Sequence, residues 1–197
     1  MAEFDEVIKK ISCEIEVIFI NDASTDGSIK IIEEFEKQYF YVKSISLDKK
    51  SGQTGCYQIA FQEARGKYIN RIDGDLQDDP RDLEQVISLC RDGQDLIMGL
   101  RGLRQHRRLL RMVSMLYDAL MVLMINSPLH TNTSSFIAFK SDFIKGIKFK
   151  KNDHRYLPLI AINRGACKIS EIVVKHRDRK YGTTKYNNLH KIIFGTI

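Results

Sequence analysis

Asn70-Arg71-Ile72-Asp73-Gly74-Asp75-Leu76-Gln77-Asp78-Asp79-Pro80 is the stretch that decides how the rest of this 197-residue chain is read. Tyr68, Ile69 and Ile72 make a short apolar run that predicts a buried strand. Asp73 and Asp75 stand at its end with Gly74 between them. Strand residues alternate faces, but a glycine at the strand's end lets the chain turn so that both carboxylates converge. Two such carboxylates suit a hard divalent cation that keeps several waters and bridges phosphates. A solvated acidic loop produces the same Asp-x-Asp spacing, so on spacing alone both readings stand.

Upstream, Phe4, Val7, Ile8 and Ile11 have helical spacing. Ile15 to Ile20 is a nearly continuous apolar run, as in a parallel strand covered on both faces. It breaks into Asn21-Asp22-Ala23-Ser24-Thr25-Asp26-Gly27-Ser28, a turn rich in helix-capping residues, before a helix with Ile31, Ile32 and Phe35 on one face. Val42 to Leu47 predicts a second strand, and Gln53 to Ala64 a helix entered through Lys49-Lys50-Ser51-Gly52. Downstream, Asp78 or Asp79 can cap a helix with Pro80 in its first turn and Leu83, Val86, Ile87 and Cys90 along its core stripe. Gly93 ends that helix, and Asp95 to Met98 predicts a further short strand. The alternation predicts an α/β layer fold with a mainly parallel sheet and helices on both faces. Ligands in such sheets sit at the carboxyl ends of strands, where Asp22 and the Asp73/Asp75 pair fall.

The length suits one domain over 1–197, and the 43% apolar and 28% charged content are those of a folded chain. Cys13, Cys56, Cys90 and Cys167 are widely spaced, which argues against a zinc site or a disulfide framework and for reduced thiols in the cytoplasm. The net charge of +6 is unevenly spread: residues 1–99 carry 12 Lys/Arg against 20 Asp/Glu, and residues 100–197 carry 19 against 5. A carboxylate-bearing half beside a basic half predicts an anionic partner: phosphates or a membrane surface. Nucleic acid is disfavoured, because the basic half has no recognition motif and few interleaved aromatics.

Several pieces occur in a fixed order: Asn21-Asp22-Ala23-Ser24-Thr25-Asp26, Gly52, Ala64-x-Gly66 and Asp73-Gly74-Asp75-Leu76-Gln77-Asp78-x-Pro80. Gly99-x-Arg101-x-x-Arg104 and Val174-x-His176-x-x-Arg179-x-x-Gly182-x-x-Lys185-Tyr186 follow. Together, over roughly residues 15–190, they resemble family 2 glycosyltransferases. The branch resembled includes dolichol- and undecaprenyl-phosphate sugar transferases and bacterial cell-envelope enzymes. The resemblance implies the GT-A fold, a Rossmann-like nucleotide-sugar transferase sandwich.

The resemblance also implies roles. Asp75 would hold Mg2+ or Mn2+ against a donor diphosphate, with Asp73 nearer the ribose or the metal's water shell. Asp22 and Gly52 would lie on the nucleotide side and Gln77 beside the sugar, with Asp73, Asp75 and Gln77 forming the catalytic group. On the residues alone, Asp22 serves equally well as the cap of the next helix, and Gln77 as the start of a turn. Arg101, Arg104, His176, Arg179 and Lys185 match residues that handle phosphate and acceptor. The expected activity is metal-dependent, inverting sugar transfer from a nucleotide-sugar donor to polyprenyl phosphate or a lipid-linked glycan. The alternative is a catalytically silent chain that binds anionic membrane or a partner.

Two departures from the family pattern stand out. A first strand ending in Pro-x-Tyr-Asn-Glu is expected but not found, and Thr131 stands where an Asp is usual. The first departure predicts a poorly stable chain. Leu109 to Ile125 is apolar but carries Arg111 and Asp118, too short and too charged for a spanning helix. It predicts an amphipathic helix, either packed on the sheet or lying on the cytoplasmic face of the membrane with Arg104, Arg107 and Arg108 toward anionic lipid.

Overall fold

The computed structural model describes residues 2–74, 77–101, 134, 136–175 and 177. The segment 109–125, Thr131, Asp75, Arg104, His176, Arg179 and Lys185 lie outside the described residues.

Helix α1 (Ala2–Ile8) precedes strand β1 (Val17–Asn21), which begins two residues later than the apolar run alone predicts. Glu16 is instead spent on a turn, where its Oε1 accepts the N–H groups of Arg65 at 2.5 Å and Gly66 at 2.9 Å. Helix α2 (Ser28–Gln38) starts where Asp26 Oδ1 accepts the Ser28 N–H at 3.0 Å. Strand β2 (Val42–Ser46) pairs parallel to β1, and helix α3 (Gly52–Glu63) follows. Strand β3 (Tyr68–Arg71) leads into the carboxylate stretch. Asp79, of the two candidate caps, caps the 3-10 turn Pro80–Asp82 by accepting the Arg81 N–H, and helix α4 (Leu83–Arg91) continues from it. Gly93 takes φ +82° just past the helix end, a conformation that disfavours side chains.

Strand β4 (Leu96–Arg101) runs further than expected, because strand β6 (Ile169–Val174) pairs with it in parallel as far as Arg101 and Val174. Gly99 sits where a Cβ would come within 2.9 Å of both Phe136 and Val174, so only glycine fits. Strand β5 (Ile137–Lys140) inserts between β3 and β4 and is antiparallel to both. The expected α/β architecture is the one observed; among the described residues both antiparallel pairings are made by one strand, and the other pairings are parallel. That strand is β5, whose apolar run Phe136-Ile137-Ala138-Phe139 turns back into the sheet centre. A further 3-10 turn, Asp153–Tyr156, enters helix α5 (Leu157–Asn163) before β6.

The four-stranded sheet, ordered β3-β5-β4-β6, is covered on both faces. Leu96, Met98, Ile137 and Phe139 face Phe61 of α3 and Leu157 and Ala161 of α5. Ile97, Ala138, Ile172 and Val174 face Val86 of α4. Side chains alternate faces along β4 and β5, so each strand feeds both clusters. β1 and β2 form a separate two-stranded sheet, and no described residue pairs β1 with β3. Among the described residues, no helix is long and apolar enough to cross a membrane.

Candidate functional site

β3 is antiparallel to β5 and β5 to β4, so β3, β4 and β6 run the same way and end on one edge of the sheet. The sequence-predicted residues gather along carboxyl ends. Asp73 lies two residues past β3, Arg101 is the last residue of β4, and Asp22 follows β1. Gly52 opens α3 beside Asp22.

Asp73 is 31% exposed, and its Oδ1 lies 3.8 Å from the Arg71 guanidinium and accepts from the Tyr57 hydroxyl at 3.4 Å. Arg71 itself is largely buried, with its guanidinium 5.0 Å from the centre of the Tyr57 ring. Burial pushes the Tyr57 hydroxyl up to about 12; Arg71 opposes this and Asp73 adds to it. Tyr57 stacks on Phe61 at 5.8 Å, and its ring lies 6.0 Å from that of His154. His154 Nδ1 is 2.7 Å from Thr54 Oγ1, which also accepts the N–H of Asn152 at 3.2 Å. Burial first, then the charges of Arg155 and Arg71, pull His154 down to about 4, so it is neutral at physiological pH.

Asp22 works as a cap, though for α3 and not for α2. Its carboxylate accepts the N–H groups of Ser51 at 2.6 Å and Gly52 at 3.0 Å, which ties the β2–α3 loop to the end of β1. Asn21 folds its side chain over the same turn, accepting the Ser24 N–H at 3.2 Å, while Ala23 takes φ +49°. Positive φ at a residue other than glycine is a strained setting held by its surroundings. Burial, then the nearby Asp22 charge, raises the Cys56 thiol to about 11, so that sulfur is an inert neighbour.

Gln77 is engaged by main chain: its Nε2 donates to the Arg177 carbonyl at 3.3 Å, and its own carbonyl accepts the Arg177 N–H at 2.7 Å. Sequence reasoning missed Tyr57, Arg71, Thr54 and His154. An arginine inside an apolar strand was a visible signal for Arg71. His154, about 80 positions from Asp73, gave none, because only the fold brings the two together. Among the described residues, no group of three or more His, Cys, Asp or Glu converges as a metal site. Asp73 with Asp75, its neighbour but one in sequence, offers an all-carboxylate donor set, the kind that suits Mg2+ or Mn2+.

The chain resembles known proteins in both sequence and fold. Residues 4–166 match the family model described as glycosyl transferase family 2. Dodecaprenyl-phosphate galacturonate synthase of Rhizobium johnstonii is 30% identical over 175 residues, covering 87% of this chain and 52% of the relative. Undecaprenyl-phosphate 4-deoxy-4-formamido-L-arabinose transferase of Proteus mirabilis is 26% identical, with 93% and 56% covered. This chain thus spans about half the length of these relatives. Glucosyl-3-phosphoglycerate synthase of Mycobacterium tuberculosis, solved with Mn2+, uridine diphosphate and phosphoglyceric acid, superposes with a TM-score of 0.63 at 18% identity. That match covers 90% of this chain and 67% of the other. TarS 1-349 of S. aureus, solved with UDP, gives 0.61 at 18% identity, with 88% and 54% covered. The expected GT-A fold is therefore the fold observed, and with the match over 4–166 the chain belongs to glycosyl transferase family 2.

Proposed function

We propose that this chain transfers a sugar from a nucleoside-diphosphate donor to a polyprenyl-phosphate acceptor, using Mg2+ or Mn2+ held by Asp75 and Asp73. The observation that carries the reading is Asp73, partly exposed beyond the end of β3 and bracketed by Arg71 and Tyr57. The Arg71 guanidinium lies 3.8 Å from Asp73 Oδ1, and Tyr57, protonated at physiological pH, donates to the same oxygen. The bound cation would supply charge stabilisation for the departing nucleoside diphosphate. Asp22 and Gly52 form the nucleotide side, where the two N–H bonds hold the β2–α3 loop against β1. Gln77 lies on the sugar side, and Arg101, Arg104, His176, Arg179 and Lys185 take the phosphates of donor and acceptor.

The named relatives act with dodecaprenyl and undecaprenyl phosphate, which favours a phosphate acceptor over a lipid-linked glycan hydroxyl. A phosphate monoester is already ionised near neutral pH, so no general base is required. Direct attack on the anomeric carbon from the face opposite the leaving diphosphate would invert it. Arg104, Arg107 and Arg108 are the basic residues that would seat the chain on anionic lipid at the cytoplasmic face.

Calorimetry with UDP and GDP, with and without Mn2+, followed by donor-dependent nucleotide release with undecaprenyl phosphate, tests the reading. Metal-dependent nucleotide binding and release support it. No nucleotide binding, together with vesicle association that rises with anionic lipid and falls with salt, identifies a non-catalytic membrane binder instead.

A further inference from the structure

β3 and β6 are the outer strands of the order β3-β5-β4-β6, so three strand spacings, roughly 14 Å, separate them. The chain segments that leave them nevertheless meet. The Arg177 N–H donates to the Gln77 carbonyl at 2.7 Å, and Gln77 Nε2 donates back to the Arg177 carbonyl at 3.3 Å. The Lys175 N–H donates to Asp82 Oδ2 at 2.7 Å. Arg177 Nη2 lies 2.9 Å from Asp79 Oδ2, and Nη1 lies 2.6 Å from Glu3 Oε2 at the start of α1.

Asp79 is the centre of this junction. Its side chain is only 3% exposed, and Arg81 also grips it, with Nε on Oδ1 at 3.0 Å and Nη2 on Oδ2 at 2.9 Å. A buried carboxylate is tolerated when guanidinium forks pair with it, and removing one partner leaves its charge uncompensated. Burial opposes the Asp79 charge, but Arg81 and Arg177 outweigh it and hold the carboxyl well below the usual carboxylate range. A cap for the 3-10 turn needs only the Arg81 N–H bond, so the pairing with Arg177 serves something more than starting a helix. Between Arg71 and Pro80 the described residues contain no helix or strand, so contacts from outside must hold this arm.

We propose that Arg177 and Asp79 form a clasp of positioning residues that ties the chain leaving β6 to Gln77–Asp82 and so holds the arm of the carboxylate stretch across the strand ends. The clasp rests on the reading of that stretch as the donor site. Neither residue touches the donor; each acts by fixing where Gln77 and its neighbours stand.

The test uses the full chain with Arg177→Ala, Arg177→Lys and Asp79→Asn, the last of which keeps an oxygen acceptor for the turn's cap. Amide hydrogen exchange at Arg177 and Arg81 is followed without nucleotide, and UDP affinity is measured with Mn2+. Arg177→Ala should speed exchange at both amides and Asp79→Asn at Arg177. Each should weaken UDP about tenfold well below its melting point, and each should lower the melting temperature because one partner of a buried ion pair is removed. Arg177→Lys, which keeps the charge, should recover part of that affinity. Unchanged exchange, or faster exchange at unchanged UDP affinity, overturns the clasp as a positioning device. Should Arg177→Ala fail to fold, the other two variants decide by the same criteria. If the unaltered chain binds neither UDP nor GDP, the donor-site reading fails by itself; exchange then decides the clasp, faster supporting it and unchanged overturning it.

Discussion

The two sheets of this molecule are built to different standards. In the four-stranded sheet Leu96, Met98 and Phe139 are fully buried, and helices cover both faces. In the β1–β2 pair, Val17 to Ile20 are only half-buried, β2 buries Val42 alone, and α2 buries no residue. Burial of apolar surface is the main favourable term in folding, so stability is concentrated in the larger sheet. Helix α3 joins the two regions: Phe61 enters the large core, Thr54 and Tyr57 face His154, and the helix N-terminus is held by Asp22. The proposed donor site thus has one wall on a rigid frame, at Asp73, and one on a thinner unit, at Asp22. The difference teaches that the same carboxylate chemistry can be mounted on parts of unequal stability.

The contrast can be broken most directly by truncating its strongest point. Phe139→Ala should cost about 3–5 kcal/mol in urea unfolding, whereas Ile18→Ala in β1 should cost less than half as much. Equal losses would mean that the two sheets are equally load-sharing. Next in size, Asp75→Asn should abolish the Mn2+ dependence of nucleotide binding without moving the melting temperature, because a neutral amide is a poorer ligand for a hard cation. Calorimetry paired with a thermal melt reads this, and unchanged affinity would remove the metal role. Asp22→Ala should cost about 1 kcal/mol through loss of the α3 cap, with faster hydrogen exchange in β1 and β2 but not in β4 or β5. Uniformly faster exchange would show one cooperative unit.

The smallest effect concerns pH. His154 has its pKa lowered to about 4 in the fold, against 6.5 for a free imidazole, so the fold prefers the neutral ring. Its contribution is complete above 6.5 and is lost as pH falls toward 4. Asp95 is pulled down to about 2, because hydrogen bonds from Lys140, Lys168 and Cys167 outweigh its burial, so its contribution is lost only below 3.8. The melting temperature should therefore fall modestly between pH 7 and pH 5, and His154→Gln should flatten that slope. A variant with an unchanged slope would assign the acid sensitivity to some other group.

Much of the frame was legible in the chain itself. β1, β2, α3 and β3 fall within about two residues of the boundaries that periodicity predicts, and α2 carries the Ile31, Ile32 and Phe35 that the helical spacing singles out. The Asp79 cap, the Pro80 turn and the Gly93 stop are local signals, since each depends on backbone torsions and hydrogen bonds spanning a few residues. The position of Asp73 beyond a strand end follows from the same local pattern. Strand direction does not: β5 and β6 were not anticipated, although Phe136 to Phe139 is an apolar run, because pairing partners lie far away in sequence.

What the amino-acid sequence by itself determined, then, is the set of elements, the family pattern and the placement of carboxylates at strand ends. Only the tertiary structure decided that Asp22 caps α3 and not α2, and that Tyr57, Arg71 and His154 gather beside Asp73. It also decided that Arg177 reaches back to Asp79. The physical reason is range. Capping and periodicity act over one helical turn or one strand, whereas the Tyr57–Arg71, Asp22–Ser51, Tyr57–His154 and Asp79–Arg177 contacts join residues 14, 29, 97 and 98 positions apart, and only the packing of strands and helices brings such residues together.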